Sequence, residues 1–199
     1  MGKQEILSQS LRLFLEKGYD GASMSDIASA VGIQKASLYA HYTGKEEIFS
    51  AVFSDVLEEY RRLISSFSAR QAGETALGQL ERVFRAFLLY CHQSTKMNFW
   101  DRFFYYPPDF LRERMARETA DTQQEFLRML ERVLAEGMEQ GEIRRQPIAG
   151  AALAYYYLMI GLSMSVSLYA RDALERDVAL AWGGLQQGLK NDIALGDTK

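Results

Sequence analysis

The chain has 199 residues, with 23 Lys and Arg against 26 Asp and Glu and a formal net charge of −3. One cysteine excludes a disulfide framework and a Cys-rich zinc site, and two histidines leave little for a His-built metal site. An apolar fraction of 48% excludes a mainly disordered chain, and the mild acidity speaks against a surface coated in positive charge to grip nucleic acid.

Helical spacing runs through almost the whole chain, and no period-2 run or Asn-Gly hairpin marks a strand, so an all-α fold is expected. Ile6, Leu7, Ser10, Leu11 and Phe14 share one face, and Gly18 is placed to end that helix. Ser23 and Asp26 have the spacing of a capping box, predicting a short helix to about Val31 that Gly32 breaks. A second short helix is predicted over Lys35 to Tyr39. Thr43-Gly44-Lys45-Glu46 repeats the capping-box spacing. The apolar stripe from Ile48 to Phe67 then predicts a long helix over 45–69. Small polar residues from Ser68 to Gly73 read as a joint.

Glu74 to Lys96 is predicted helical. Met97 to Tyr106 is a short aromatic helix, stopped by Pro107 and Pro108. Asp109 to Gln140 reads as a long charged helix, with room for one break near Thr119 to Thr122, and Gly141 ends it. Pro147 suits a first helical turn, from which a helix runs to about Tyr169. Leu174 to about Ile193 makes the last helix, and Gly196 to Lys199 reads as a frayed tail. Between Arg145 and Arg171 lie 25 residues without charge. Three adjacent tyrosines, Tyr155 to Tyr157, sit in the middle of that run, so it reads as a buried or interfacial helix rather than a membrane span. The polar start of the chain shows no signal peptide, and a cytoplasmic protein is expected.

Two short helices joined by a glycine turn, after a longer helix, describe a helix-turn-helix, whose second helix enters the DNA major groove. Lys35, Ala36 and Ser37 stand at the amino end of that helix, where backbone N–H groups and the helix dipole favour phosphate. Lys35 suits phosphate or guanine, Ala36 permits close approach, and Ser37, Tyr39 and His41 carry hydrogen-bond donors. Lys45 opens the next helix, and Ser23 and Ser25 open the earlier one. Ile27, Ala28, Val31, Ile33 and Leu38 are the expected core of this unit, with Tyr42 beside them.

The stretch Gly18-Tyr19, Ser23-Met24-Ser25-Asp26-Ile27-Ala28, Val31-Gly32-Ile33, Ser37-Leu38-Tyr39-Ala40-His41-Tyr42 and Gly44-Lys45-Glu46-Glu47-Ile48 resembles the TetR family of bacterial transcription regulators. Beyond about residue 50 only helix content, length and Gln140-Gly141-Glu142-Ile143-Arg144 look alike. The resemblance implies an all-α homodimer with a three-helix DNA-binding domain at 1–46. It implies a larger helical domain at 47–199 that binds an effector and dimerises through its last two long helices, with helix 45–69 linking the two. Ser23, Ser25, Lys35, Ala36, Ser37, Tyr39, His41 and Lys45 are similar to the family's DNA contacts. Gln34 stands where a Ser or Thr cap is usual, so that cap is weaker, or Gln34 is itself a DNA contact. Only two residues precede the first helix, so minor-groove reading by a basic arm is not expected.

Cys91 and His92 are neighbours on a helix, about 100° apart, so they do not face each other as a catalytic pair. No phosphate-cradling glycine loop and no metal-ligand spacing is present, and neither cofactor nor metal is expected. Residues 84–110 hold 10 aromatics in 27 positions. The expected effector contacts are Tyr90, Trp100, Phe103, Phe104 and Tyr156, with His92 and Arg102 as polar partners. The competing use of the same rings is to close the core. Gly161, Ser163 and Ser165, and Gly183, Gly184 and Gly188, permit close helix approach, which predicts a two-fold four-helix interface.

The function expected is a regulator, a repressor released by a small hydrophobic or aromatic effector, acting as a homodimer on a palindromic double-stranded operator. The alternatives are a helical enzyme, or a DNA-binding protein without effector, that retains the helix-turn-helix. Residues 1–50 carry five Lys or Arg and six Asp or Glu. Few phosphate contacts per subunit and a modest salt dependence follow.

Overall fold

The computed structural model describes residues 2–164 and 171–190, Arg171 by its backbone alone. Among these the secondary structure is helical. The helices are α1 Lys3–Gly21, α2 Met24–Val31, α3 Lys35–Tyr39, α4 Lys45–Phe67, α5 Ala76–Gln93 and α6 Thr95–Phe104. A 3₁₀ turn at Asp109–Leu111 leads into α7 Arg112–Glu139, followed by α8 Ile148–Ser163 and α9 Arg171–Leu189. The one exception is an isolated antiparallel bridge between Ile143 and Lys190. No helix of the described residues is long and apolar enough to cross a membrane. Ser165, and the expected continuations to Tyr169 and Ile193, lie outside the described residues.

Several helix ends follow local chemistry. Ser23 accepts from the Asp26 backbone while Asp26 accepts from the Ser23 backbone, which is the capping box expected for α2. Gly32 takes the left-handed conformation (φ 76°, ψ 31°) that closes α2. Four expectations change. Gly18 does leave helical geometry (φ 75°, ψ 174°), but one further turn follows it to Gly21. Thr43 pairs with Glu47, not Glu46, through its backbone N–H and its hydroxyl at 2.6 and 2.8 Å. The expected helix 74–96 is interrupted because Ser94 accepts from Met97 N, so α6 begins at Thr95. Helix α7 is unbroken at Thr119 to Thr122, where Thr122 is buried.

The described chain divides into two compact units that do not follow the expected split at 46/47. The first holds the residues up to Arg62 together with Ser94–Thr119, and the second holds Leu63–Gln93 and the described residues from Ala120 onward. The reason is packing. The first half of α4 supplies Ile48, Phe49, Val52 and Phe53 to a core shared with Ile6, Phe14, Ile27 and Leu38. Phe99 and Phe103 of α6 enter the same core, and α6 lies on α1.

In the second unit, α5 packs on α8 and α9. Phe84 meets Tyr155 at 5.7 Å and Trp182 at 5.9 Å, and the fully buried Tyr155 hydroxyl donates to the Leu80 carbonyl at 2.7 Å. The segment after α7 fastens α5. The Glu142 carboxylate accepts from Ala76 N at 2.7 Å, placing a negative charge at the positive end of that helix. Ile143 and Ala76 close over Gly137, where an added Cβ would lie 2.6 Å from Ile143 Cδ1 and 2.8 Å from Ala76 Cβ. Gly137→Ala is therefore expected to destabilise the protein by about 1–3 kcal/mol in urea unfolding, as overpacking does. Gly150→Ala, whose added Cβ meets only Pro147 at 4.0 Å, is expected to stabilise it by about 0.5–1 kcal/mol.

Candidate nucleic-acid interface

Helix α3 is five residues long and is anchored through one of them. Leu38 is fully buried, whereas Lys35, Ala36, Ser37 and Tyr39 are exposed, as are Gln34 before them and His41 after them. The turn that presents α3 is rigid. Gly32 N–H is bonded to the Ala28 and Ser29 carbonyls, and Ile33 N donates to the Ala28 carbonyl at 2.9 Å. Gln34 occupies the N-cap of α3 without a side-chain cap bond, so the side chain is left to solvent. Tyr39 is 48% exposed, and the Lys35 ammonium lies 6.0 Å from its ring centre. Lys35 makes no ion pair among the described residues. Tyr42 is buried, as its reading as core requires.

The flanking residues divide between holding and offering. The Ser23 hydroxyl is engaged with Asp26, while Ser25 is exposed in the first turn of α2. The hydrogen bond from Lys17, then those from Ser23, hold the Asp26 carboxyl down to about 2. The Thr43 backbone and hydroxyl bonds lower the Glu47 carboxyl in the same way. Lys45 has a structural task that its spacing did not reveal. Its ammonium donates to the Tyr19 carbonyl at 2.7 Å and the Ala22 carbonyl at 2.9 Å, and lies 4.2 Å from the Tyr19 ring centre. It thus clamps the start of α4 to the end of α1. One of its three N–H donors remains for a phosphate oxygen.

The residues expected at an effector site fall in different units. Trp100, Arg102, Phe103 and Phe104 belong to the first, and Tyr90, His92 and Tyr156 to the second. Phe103 is buried against Phe49 at 4.9 Å, and Trp100 is stacked near Phe53 and Tyr60 at 6.1 and 5.7 Å. Arg102 donates to the Leu15 carbonyl of α1. Tyr156 is buried beside Phe126 at 5.8 Å, and Tyr90 and His92 are half-buried on α5. Of the aromatics in residues 84–110, Phe84 and Phe87 are buried in the second unit and Phe99 and Phe103 in the first, while Phe104, Tyr105, Tyr106 and Phe110 are exposed. A groove that the sequence did not single out lies in the first unit, between Tyr19, Asp20, Glu46 and the residues around Tyr106.

A short exposed helix on a glycine turn, carried by two neighbouring helices, defines a helix-turn-helix DNA-binding unit. Residues 6–52, about a quarter of the chain, match the model for bacterial regulatory proteins of the tetR family, and the likeness to that family rests on this segment. The biofilm operon icaADBC HTH-type negative transcriptional regulator IcaR of Staphylococcus epidermidis is 53% identical over 47 residues, 24% of this chain and 25% of that protein. Its Staphylococcus aureus (strain Newman) counterpart is 49% identical over the same length. The match spans about a quarter of these relatives. A TetR transcriptional regulator from Chloroflexus aurantiacus shares the fold with a TM-score of 0.74, 22% identity and coverage of 94% of this chain and 95% of that one. AibR, solved with isovaleryl coenzyme A and operator DNA, gives a TM-score of 0.68 at 19% identity over 91% and 96%.

Replacing Lys45 with Met removes two charged hydrogen bonds at a partly exposed position. It should lower stability by about 1–2 kcal/mol in thermal unfolding. If its third donor meets phosphate, the salt slope of operator binding should also fall by about 0.9. A lower melting temperature with an unchanged slope would make Lys45 structural only.

Proposed function

We propose that this chain is a transcription repressor, binding a palindromic operator as a homodimer and leaving it when a small hydrophobic or aromatic effector binds. The exposed face of α3 carries the reading: five of the residues from Gln34 to Tyr39 face solvent and Leu38 alone is buried. Gln34, Lys35, Ala36, Ser37, Tyr39 and His41 would read bases and phosphates in the major groove. Ser23, Ser25 and Lys45 would flank them. The negative-regulator name of the Staphylococcus relatives supports repression. The AibR complex with an acyl coenzyme A and operator DNA supports effector control. Tyr90, His92 and Tyr156, and separately Trp100, Arg102, Phe103 and Phe104, remain the proposed effector contacts within their units.

The second unit supplies the reason for a dimer. Helix α8 carries no charge, and Leu153, Tyr157, Leu158, Gly161 and Met164 form an exposed stripe along it. On α9, Leu180 is 69% exposed, and an added Cβ at Gly183, Gly184 or Gly188 meets nothing within 4 Å. Apolar surface of this extent is characteristic of an interface. A second copy packed two-fold against these helices would cover it.

A gel shift with DNA from upstream of the protein's own gene tests the reading face. Lys35→Ala with Tyr39→Ala should abolish the shift while leaving the helical circular dichroism unchanged. An unaltered shift would refute the assignment of α3. For the dimer, Leu180→Glu should give a monomer by light scattering at micromolar concentration and weaken operator binding at least about tenfold through lost avidity. A dimer that persists in this variant would refute the proposed interface.

A further inference from the structure

A groove of about 560 Å³ opens on the first unit, with no residue of α2 or α3 in its lining. Its lining combines aromatic rings, two prolines and three carboxylates. Tyr19 comes from the end of α1, Tyr106 from the segment after α6, and Phe110 from the 3₁₀ turn. Tyr106 is 85% exposed, so its ring is not spent in a core. Three carboxylates stand at the rim, Asp20, Glu46 and Asp109. Asp109 is paired with Arg112 at 2.7 Å. Asp20 and Glu46 form no ion pair among the described residues. Burial raises the Tyr19 hydroxyl above its ordinary value, and the negative charges of Glu46 and then Asp20 raise it further, so both carboxylates act on this ring's polar end.

Shape and charge select the same kind of guest. Grooves of about 300–1,000 Å³ suit small molecules. Aromatic faces are negative, and they attract cations to within about 6 Å of the ring centre. The Lys45 ammonium beside Tyr19 is bonded to backbone carbonyls, so Asp20 and Glu46 keep their negative charge without an ion pair among the described residues, which repels anions and favours a positive charge. We infer that this groove binds an organic cation with an aromatic or apolar body, the body against Tyr106 and Phe110 and the charge facing Asp20 and Glu46. The site also has a route to the DNA-binding elements. A guest cation beside Tyr19 repels the Lys45 ammonium, which lies 4.2 Å from that ring, and so acts on the clamp between α1 and α4. Its role as an effector site rests on the ligand-responsive function proposed above, whereas its capacity to bind a cation does not.

The test uses the full chain without DNA and two probes of equal shape and opposite charge, tetraphenylphosphonium and tetraphenylborate, in isothermal titration at low salt. The phosphonium should bind and the borate should not. Asp20→Asn with Glu46→Gln should weaken phosphonium binding about tenfold or more, and Tyr106→Ala about fivefold, the scale of lost ion pairing and cation–π contact. Thermal melts establish that each variant is folded. Should the double variant not fold, Tyr106→Ala decides alone, since its side chain lies almost wholly in solvent. Equal binding of both probes, no binding of the phosphonium, or undiminished binding by the folded variants would overturn the inference. Failure to bind operator DNA would bear on the proposed function and leave this result standing.

Discussion

The first unit depends on one buried ring. Phe49 has no exposed surface and lies within aromatic contact of Phe14, Tyr19, Phe99, Phe103 and Phe110, at centroid distances of 4.9, 5.2, 5.2, 4.9 and 6.1 Å. These partners come from α1, α6 and the 3₁₀ turn, so a residue in the first turns of α4 sets the position of three other elements. Each such pair contributes about 0.5–1.5 kcal/mol beyond simple burial. The edge-on geometry of the Phe14, Tyr19 and Phe103 contacts also restricts how the helices can slide. Dense packing makes this arrangement hard to deform continuously. Helix α3, the proposed reading helix, inherits its position from this core through Leu38.

Polar contacts then fix what packing leaves free. Lys45 holds the end of α1, Thr43 and Glu47 set the start of α4, and Ser23 with Asp26 sets the start of α2. All lie at helix termini, where unsatisfied backbone groups are available and a side-chain bond is worth about 1 kcal/mol. The same economy explains the second unit, where Glu142 supplies from another element the carboxylate that α5 lacks in its own first turn. The phrase Gln140-Gly141-Glu142-Ile143-Arg144 thus has a local cause. Gly141 turns the chain at φ 74°, Glu142 holds α5, and Ile143 fills the space that Gly137 leaves open.

What was legible in the sequence was local. The capping box at Ser23 and the turn at Gly32 involve partners within four residues, and spacing alone locates them. Leu38 as anchor and Tyr42 as core follow from helical period. Less legible was anything decided by a distant partner. The N-cap at Ser94 is a local exception, since its partner Met97 is three residues on but no glycine or proline marks the break. Phe103 looks like a pocket ring until Phe49 is placed against it. The spacing of Lys45 suits a phosphate contact, but not the carbonyls of Tyr19 and Ala22, 26 and 23 residues away, that it also serves. The groove beside Tyr19 was hidden for the same reason, since its residues are separated by more than fifty positions.

The net charge of −3, which speaks against a surface coated in positive charge, constrains how the proposed operator would be held. From Ser23 to Lys45 the lysines are Lys35 and Lys45 and there is no arginine. Lys45 already spends two of its donors internally. On the proposed reading, at about 0.9 counterion released per phosphate contact, one reading head of this kind would gain little from electrostatics and would bind weakly by itself. A useful affinity would then call for the proposed dimer, whose second contact is made at an effective concentration in about the millimolar range. That requirement and the uncharged, exposed stripe of α8 meet from opposite directions: a sparse reading face needs a partner copy, and an apolar helix face needs to be covered. With two identical heads the spacing between them becomes a variable to which affinity is sensitive, because half-sites repeat at about 34–36 Å. A regulator with few phosphate contacts is therefore easier to release than a strongly basic one, since a small change in geometry has less binding energy to overcome.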